Sequence, residues 1–111
     1  MANEKFQECI DACDACAAAC DYCATACLAE EDVKMMARCI ALDIDCAQMC
    51  RLASAYMARG SAFAVAICRQ CADICTACAD ECAQHPMDHC QQCAQACRLC
   101  AEACSTMASA A

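Results

Sequence analysis

Apolar positions recur along this chain at steps of three and four residues, and at most of them the residue is cysteine. Cys9, Cys13, Cys16, Cys20, Cys23 and Cys27 are spaced by four, three, four, three and four. The alternation returns in Cys68, Cys71, Cys75, Cys78 and Cys82, and again in Cys90, Cys93, Cys97, Cys100 and Cys104. Steps of three and four average one helical turn, so each run draws a line of thiols down one face of an α-helix. In a bundle that line occupies the hydrophobic seam. The pattern therefore predicts helices whose buried faces carry sulfur.

The breaks in the pattern predict four helices, over about 3–28, 32–59, 61–84 and 86–108. Asn3 is a plausible N-cap for the first, and Glu30-Glu31-Asp32 suits the first turn of the second, where carboxylates meet the positive end of the helix dipole. Gly60 is the natural stop of helix two, and Ser61 the expected cap of helix three. Pro86 fits the first turn of helix four and disfavours helical geometry at His85. The last helix is expected to fade from Ser105 onward. Short connections make neighbouring helices antiparallel. The expected fold is all-α, one up-down-up-down four-helix bundle over residues 1–111 with a Cys-lined core.

Helix two departs from the others. It carries Cys39, Cys46 and Cys50, with Met36, Asp43, Ala53 and Met57 at other inward or near-inward positions. Asp43 lies seven residues from both Met36 and Cys50. A buried carboxylate is costly unless paired or coordinated, so a solvated edge is the expected place for it. Contact with a metal or a polar group in the core is the alternative. Ile40 and Ile44, with Ile67 and Ile74 on helix three, form a second apolar strip, either flanking core or a face on which bundles associate.

Composition narrows the function. With a formal charge of −8, no basic stripe is available for nucleic acid, and anionic membrane surfaces are poor partners. The start of the chain has neither the basic residues nor the apolar run of a signal peptide. No stretch approaches the length of a membrane span. The expected compartment is the cytosol, where thiols stay reduced.

The 19 cysteines decide the chemistry. As plain core residues they would add oxidative liability that Ala, Val or Leu avoids. Disulfides along one stripe would unwind the helix, because neighbours three or four apart have Cβ atoms roughly 5–6 Å apart and a disulfide wants about 3.5–4.5 Å. Bridges between helices are geometrically open, but the odd count and the absent export signal oppose them. Thiolates select Cu(I), zinc or iron–sulfur clusters. Clusters take ligands from short looped spacings absent here. A Zn(Cys)₄ unit keeps a charge of −2, and stacking several in one narrow bundle is expensive without basic groups. Cu(I) with about one thiolate per ion is neutral, so many ions fit a dry core. The spacing favours multiple Cu(I) ions per chain, roughly one per cysteine. A metallothionein-like zinc or cadmium buffer is the alternative. A thiol redox protein is a third reading, but it wants one low-pKa cysteine in an electropositive setting. Nothing supports an enzyme.

The three Cys-x-x-x-Cys-x-x-Cys stripes, the Cys-poorer second helix and the His85-Pro86 junction together resemble the cysteine-rich, four-helix-bundle copper storage proteins, in the cytosolic branch. The likeness spans nearly the whole chain. It implies Cu(I) held along the core by cysteines, in a homotetramer of bundles. The candidate ligands are Cys9, Cys13, Cys16, Cys20, Cys23, Cys27, Cys39, Cys46, Cys50, Cys68, Cys71, Cys75, Cys78, Cys82, Cys90, Cys93, Cys97, Cys100 and Cys104. Copper would be exchanged with a copper chaperone or a chelator.

Up-down topology also sorts residues to the two ends. One end gathers Cys27, Met35, Met36, Cys39, Cys82, His85, Met87, His89 and Cys90. Imidazole and thioether bind Cu(I) more exchangeably than a thiolate, so His85, His89 and Met36 are the candidate mouth ligands. Ordinary loop and end-packing roles are the alternative. The other end collects Phe6, Cys9, Tyr56, Met57, Val65, Cys68, Cys104 and Met107, an apolar plug.

Overall fold

Helix formers dominate each stretch between the breaks, and helices fill those stretches. The computed structural model describes residues 4–110. After a 3-10 turn at Glu4–Phe6, α1 runs Gln7–Leu28, α2 Ala37–Ala58, α3 Ala64–Ala83 and α4 Asp88–Ala110, with a second 3-10 turn at Val33–Met36. No strand occurs among the described residues. Each helix packs on its sequence neighbours, and α4 closes the ring against α1. The result is a rod of 47 × 19 × 18 Å. Its narrowness follows from the core: cysteines line the axis, and Ala17, Ala24, Ala47, Ala72, Ala79 and Ala94 are among the small buried residues that let helices approach.

The joints differ in detail from the sequence expectation. Asn3 lies outside the described residues. Glu30, Glu31 and Asp32 are not in the first turn of α2. They form the connection, and the tighter turn at Val33–Met36 then swings Met36 onto the core, where it is 1% exposed. At the end of α2, Gly60 has φ 65°, its N–H reaches the Met57 carbonyl (3.0 Å), and the Ser61 N–H reaches Tyr56 (3.0 Å). This is a Schellman stop, which needs a residue at ease with positive φ. Ser61 does not cap α3 directly. It holds the turn before it, its hydroxyl accepting from the Phe63 N–H (3.1 Å) and its carbonyl from Ala64 (3.1 Å). The helix therefore starts at Ala64.

Pro86 also sits outside the helix it was expected to open. The Met87 carbonyl accepts the N–H groups of Cys90 and Gln91, each at 3.0 Å, and α4 begins at Asp88. The Gln91 amide donates to the carbonyls of Ala83 (3.1 Å) and His85 (2.7 Å). It satisfies orphan acceptors at the end of α3, which ties the turn shut and leaves Pro86 as an exposed link. At the other terminus α4 continues through Ser105 to Ala110.

Candidate metal centre

All 19 cysteines are buried free thiols. Along a helix, Sγ atoms four residues apart lie 3.8–4.0 Å from each other, as in Cys23–Cys27 and Cys16–Cys20. Between helices some pairs come closer: Cys39–Cys82 at 3.4 Å, Cys46–Cys75 at 3.5 Å and Cys16–Cys97 at 3.6 Å. With metal–sulfur bonds near 2.3 Å, three sulfurs on one ion sit roughly 4 Å apart and two in line roughly 4.6 Å. The observed spacings match the first and reach the second by small rotamer changes.

Four-sulfur groups repeat along the axis. Cys13, Cys71, Cys100 and Cys104 form one, and Cys16, Cys46, Cys50 and Cys75 another. Cys16, Cys20, Cys46 and Cys97 form a third, and Cys20, Cys78, Cys93 and Cys97 a fourth. Cys23, Cys27, Cys39 and Cys90 close the series near the histidines. Cys16, Cys20, Cys46 and Cys97 each belong to two of these groups. The sulfurs are a lattice with shared members rather than a set of separate tetrahedral sites. All seven Lys and Arg side chains are exposed, so among the described residues no Lys or Arg lies in the core to offset the −2 of a tetrathiolate zinc unit. Burial pushes the Cys90 thiol up to about 11 and raises that of Cys27 further. Without metal these thiols are protonated at neutral pH.

Asp43 is not at a solvated edge. Its exposure is 0%, and it holds a place in the inward row of α2 with Cys39, Cys46, Cys50, Ala53 and Met57, all buried, in register with the buried Met36 of the preceding turn. Its Oδ1 accepts from the thiols of Cys78 (3.2 Å), Cys93 (3.3 Å) and Cys82 (3.4 Å). Desolvation raises its carboxyl from 3.8 to about 8. The cost of burying a carboxylate is met here by protonation and hydrogen bonds.

At one end, the α1–α2 and α3–α4 connections meet around an open depression lined by Glu30, Glu31, Asp32, Met35, Met36, Gln84, His85, Pro86 and Met87. Met35 is 67% exposed and Met36 is buried. His85 is buried, with Nε2 2.8 Å from Glu81, and Glu81 meets Arg38 at 3.3 Å. His89 stands deeper in thiol territory, its Nδ1 3.5 Å from Cys90, 3.6 Å from Cys23 and 3.8 Å from Cys27. Sequence reasoning missed Glu30, whose Oε2 lies 3.0 Å from His89 Nε2. Fifty-nine residues separate the pair, and no local spacing signals it. At the opposite end Phe6 and Met57 are buried, while Tyr56, Val65 and Met107 are half-buried.

The copper storage protein family, Csp, matches over residues 2–109. The chain belongs to this family. A Cu(I)-bound copper storage protein from Bacillus subtilis, BsCsp3, is 48% identical and superposes with a TM-score of 0.90, over 93% of this chain and 97% of that one. A cytosolic copper storage protein from Streptomyces lividans, described with five coppers, is 39% identical with a TM-score of 0.93, over 97% of this chain and 95% of that one. An uncharacterized cysteine-rich protein of Bacillus subtilis, YhjQ, is 49% identical over 78% of this chain and 81% of its own length. For a copper storage protein the lattice is the working part, and copper is its cargo.

Proposed function

We propose that this chain holds on the order of one Cu(I) per cysteine, with all 19 cysteines as ligands, as a non-enzymatic store in the cytoplasm. The observation that carries the reading is a lattice of shared, buried thiols with no buried Lys or Arg beside it among the described residues. Each Cu(I) that replaces a thiol proton leaves the core neutral. The compartment is argued from the cytosolic description of the Streptomyces lividans relative and from the need for reduced thiols. Asp43 is the oxygen among the sulfurs, and in this reading it orients thiols or touches an ion. His85, His89 and Met36 serve the mouth, where a copper chaperone or a chelator hands over the ion.

The test is an anaerobic titration of the reduced protein with Cu(I) against a chromophoric chelator, with proton release followed in parallel. Saturation is expected at roughly one ion per cysteine, with about one proton released per ion. A zinc or cadmium buffer would stop at roughly a quarter as many ions and release more protons for each. Saturation at a few ions would overturn the storage stoichiometry. Repeated on the His85→Ala/His89→Ala double variant, the titration should give nearly the same capacity reached more slowly. Unchanged exchange kinetics would overturn the mouth.

A homotetramer is proposed as the assembly. Ile44 and Leu52 are 46% and 41% exposed, and Met49, Leu52 and Ile74 line a shallow groove beside α2 and α3. Ile40, Ile67 and Ile74 are half-buried against the core. A monomer mass at every concentration in sedimentation would overturn this assembly.

A further inference from the structure

We propose that Glu30 is a positioning residue: it fixes the His89 imidazole so that Nδ1 is the nitrogen presented to copper. The inference rests on the reading of His89 as a mouth ligand. Glu30 stands just past the end of α1, its N–H bonded to the Cys27 carbonyl at 3.1 Å. From there its carboxylate crosses to α4 and meets His89 Nε2 at 3.0 Å. A carboxylate only accepts, so in the neutral ring the proton sits on Nε2 and the lone pair on Nδ1. That lone pair faces Cys90, Cys23 and Cys27 at 3.5–3.8 Å. Together with Cys39, those cysteines make the four-sulfur group at this end.

The arrangement spares the ring a proton transfer. A Cu(I) ion arriving at Nδ1 displaces nothing from the imidazole. When it bonds to a first sulfur, the proton lost is the thiol's, and it leaves to solvent. With the opposite tautomer, Nδ1–H would point at the sulfurs, and the ring would have to move its proton before binding. The carboxylate also fixes the orientation of the ring, as outer partners of metal-bound histidines do.

His85 provides the contrast. Its carboxylate, Glu81, lies four residues earlier in the chain, and Glu81 is held in turn by Arg38. No hydrogen bond joins His85 Nδ1 to a thiol among the described residues. Glu30 instead comes from another element, so it sets the depth of His89 across the mouth as well as its tautomer. Its side chain is 33% exposed and that of His89 13%, so replacing Glu30 leaves the core packing untouched.

Two readouts test this: two-bond proton–nitrogen spectra of the labelled apoprotein at mildly alkaline pH, and stopped-flow Cu(I) uptake from a coloured chelate. Wild type is expected as the Nε2–H tautomer. Glu30→Ala should give mixed tautomers and uptake slowed by ~10-fold, at the lower end for loss of such partners, with capacity unchanged. Glu30→Gln, whose amide oxygen still accepts from Nε2–H, should restore the tautomer and most of the rate. In a His89→Ala background Glu30→Ala should add nothing. A fast Glu30→Ala beside a slow His89→Ala would overturn the role of Glu30 and leave the mouth standing. An unslowed His89→Ala would remove the mouth reading itself. Equal slowing by Glu30→Ala with and without His89, or Gln as slow as Ala, would mean Glu30 acts through its charge, and the proposal fails.

Discussion

Raising the pH of the metal-free protein from about 4 to about 8 is expected to remove on the order of 5 kcal/mol of stability through Asp43 alone. The carboxyl titrates near 3.8 when exposed and at about 8 when folded, chiefly because burial penalises the charge. Between those values the folded state keeps a proton that the unfolded chain has released. Stability from this group is therefore complete below the unfolded value and is lost as pH rises through the folded one. At about 1.4 kcal/mol per pH unit the interval gives the magnitude stated. The direction is opposite to that of a salt-bridged carboxylate, whose contribution is lost in acid.

Burial pushes the folded Cys90 thiol up to about 11, above this window, and the Asp43→Asn comparison separates the carboxyl from the other thiols. Urea midpoints measured anaerobically at intervals of pH will read the slope. Asp43→Asn keeps the shape and removes the titration, so its profile should be flat where wild type falls. Parallel profiles for the two proteins would show that the buried carboxyl is not protonated.

Removing the copper is expected to leave the helices in place while lowering the thermal midpoint by on the order of 30 °C. The apo bundle has its own reasons to fold. Its stripes bury small apolar side chains with cysteine in the role of a hydrophobe, and its helix ends are closed by Gly60 and Gln91. This differs from small zinc domains, where the metal supplies the folding energy. Each site with free ligand at a hundred times its Kd adds about 2.7 kcal/mol. A few filled sites therefore outweigh most of the intrinsic stability of a domain this size. Far-UV circular dichroism and melting curves of apo and loaded protein check both halves. A disordered apoprotein would contradict the first, and coincident melts the second.

The core was legible because the cysteine steps encode helix phase and helix face together. Gly60 was legible as well, since few residues accept the left-handed turn it makes. The turn at Val33–Met36 was not, because nothing local says that Met36 must reach the core before α2 can begin. Pro86 misled for a related reason. His85 and the reach of Gln91 back to α3 set where α4 starts, and these are tertiary contacts. At Asp43 the seven-residue register with Met36 and Cys50 pointed inward while its polarity pointed out. The register won because three thiols are there to donate to Oδ1. Glu30 carried no signal, since its partner sits on the far side of the bundle in sequence and only the closed ring brings them together.

The overlap of neighbouring sulfur groups has a consequence for traffic. Because Cys16, Cys20, Cys46 and Cys97 each serve two groups, an ion can pass along the axis by taking hold of the next sulfur before letting go of the last. It is never free in solution, and no helix has to part. With the mouth at the histidine end, as proposed above, the rod would behave as a single-file siding: copper entering there would be handed inward from thiol to thiol, and an empty place would travel outward to meet the next arrival. In such a siding the ions nearest the mouth leave first, and the deepest copper is the slowest to return.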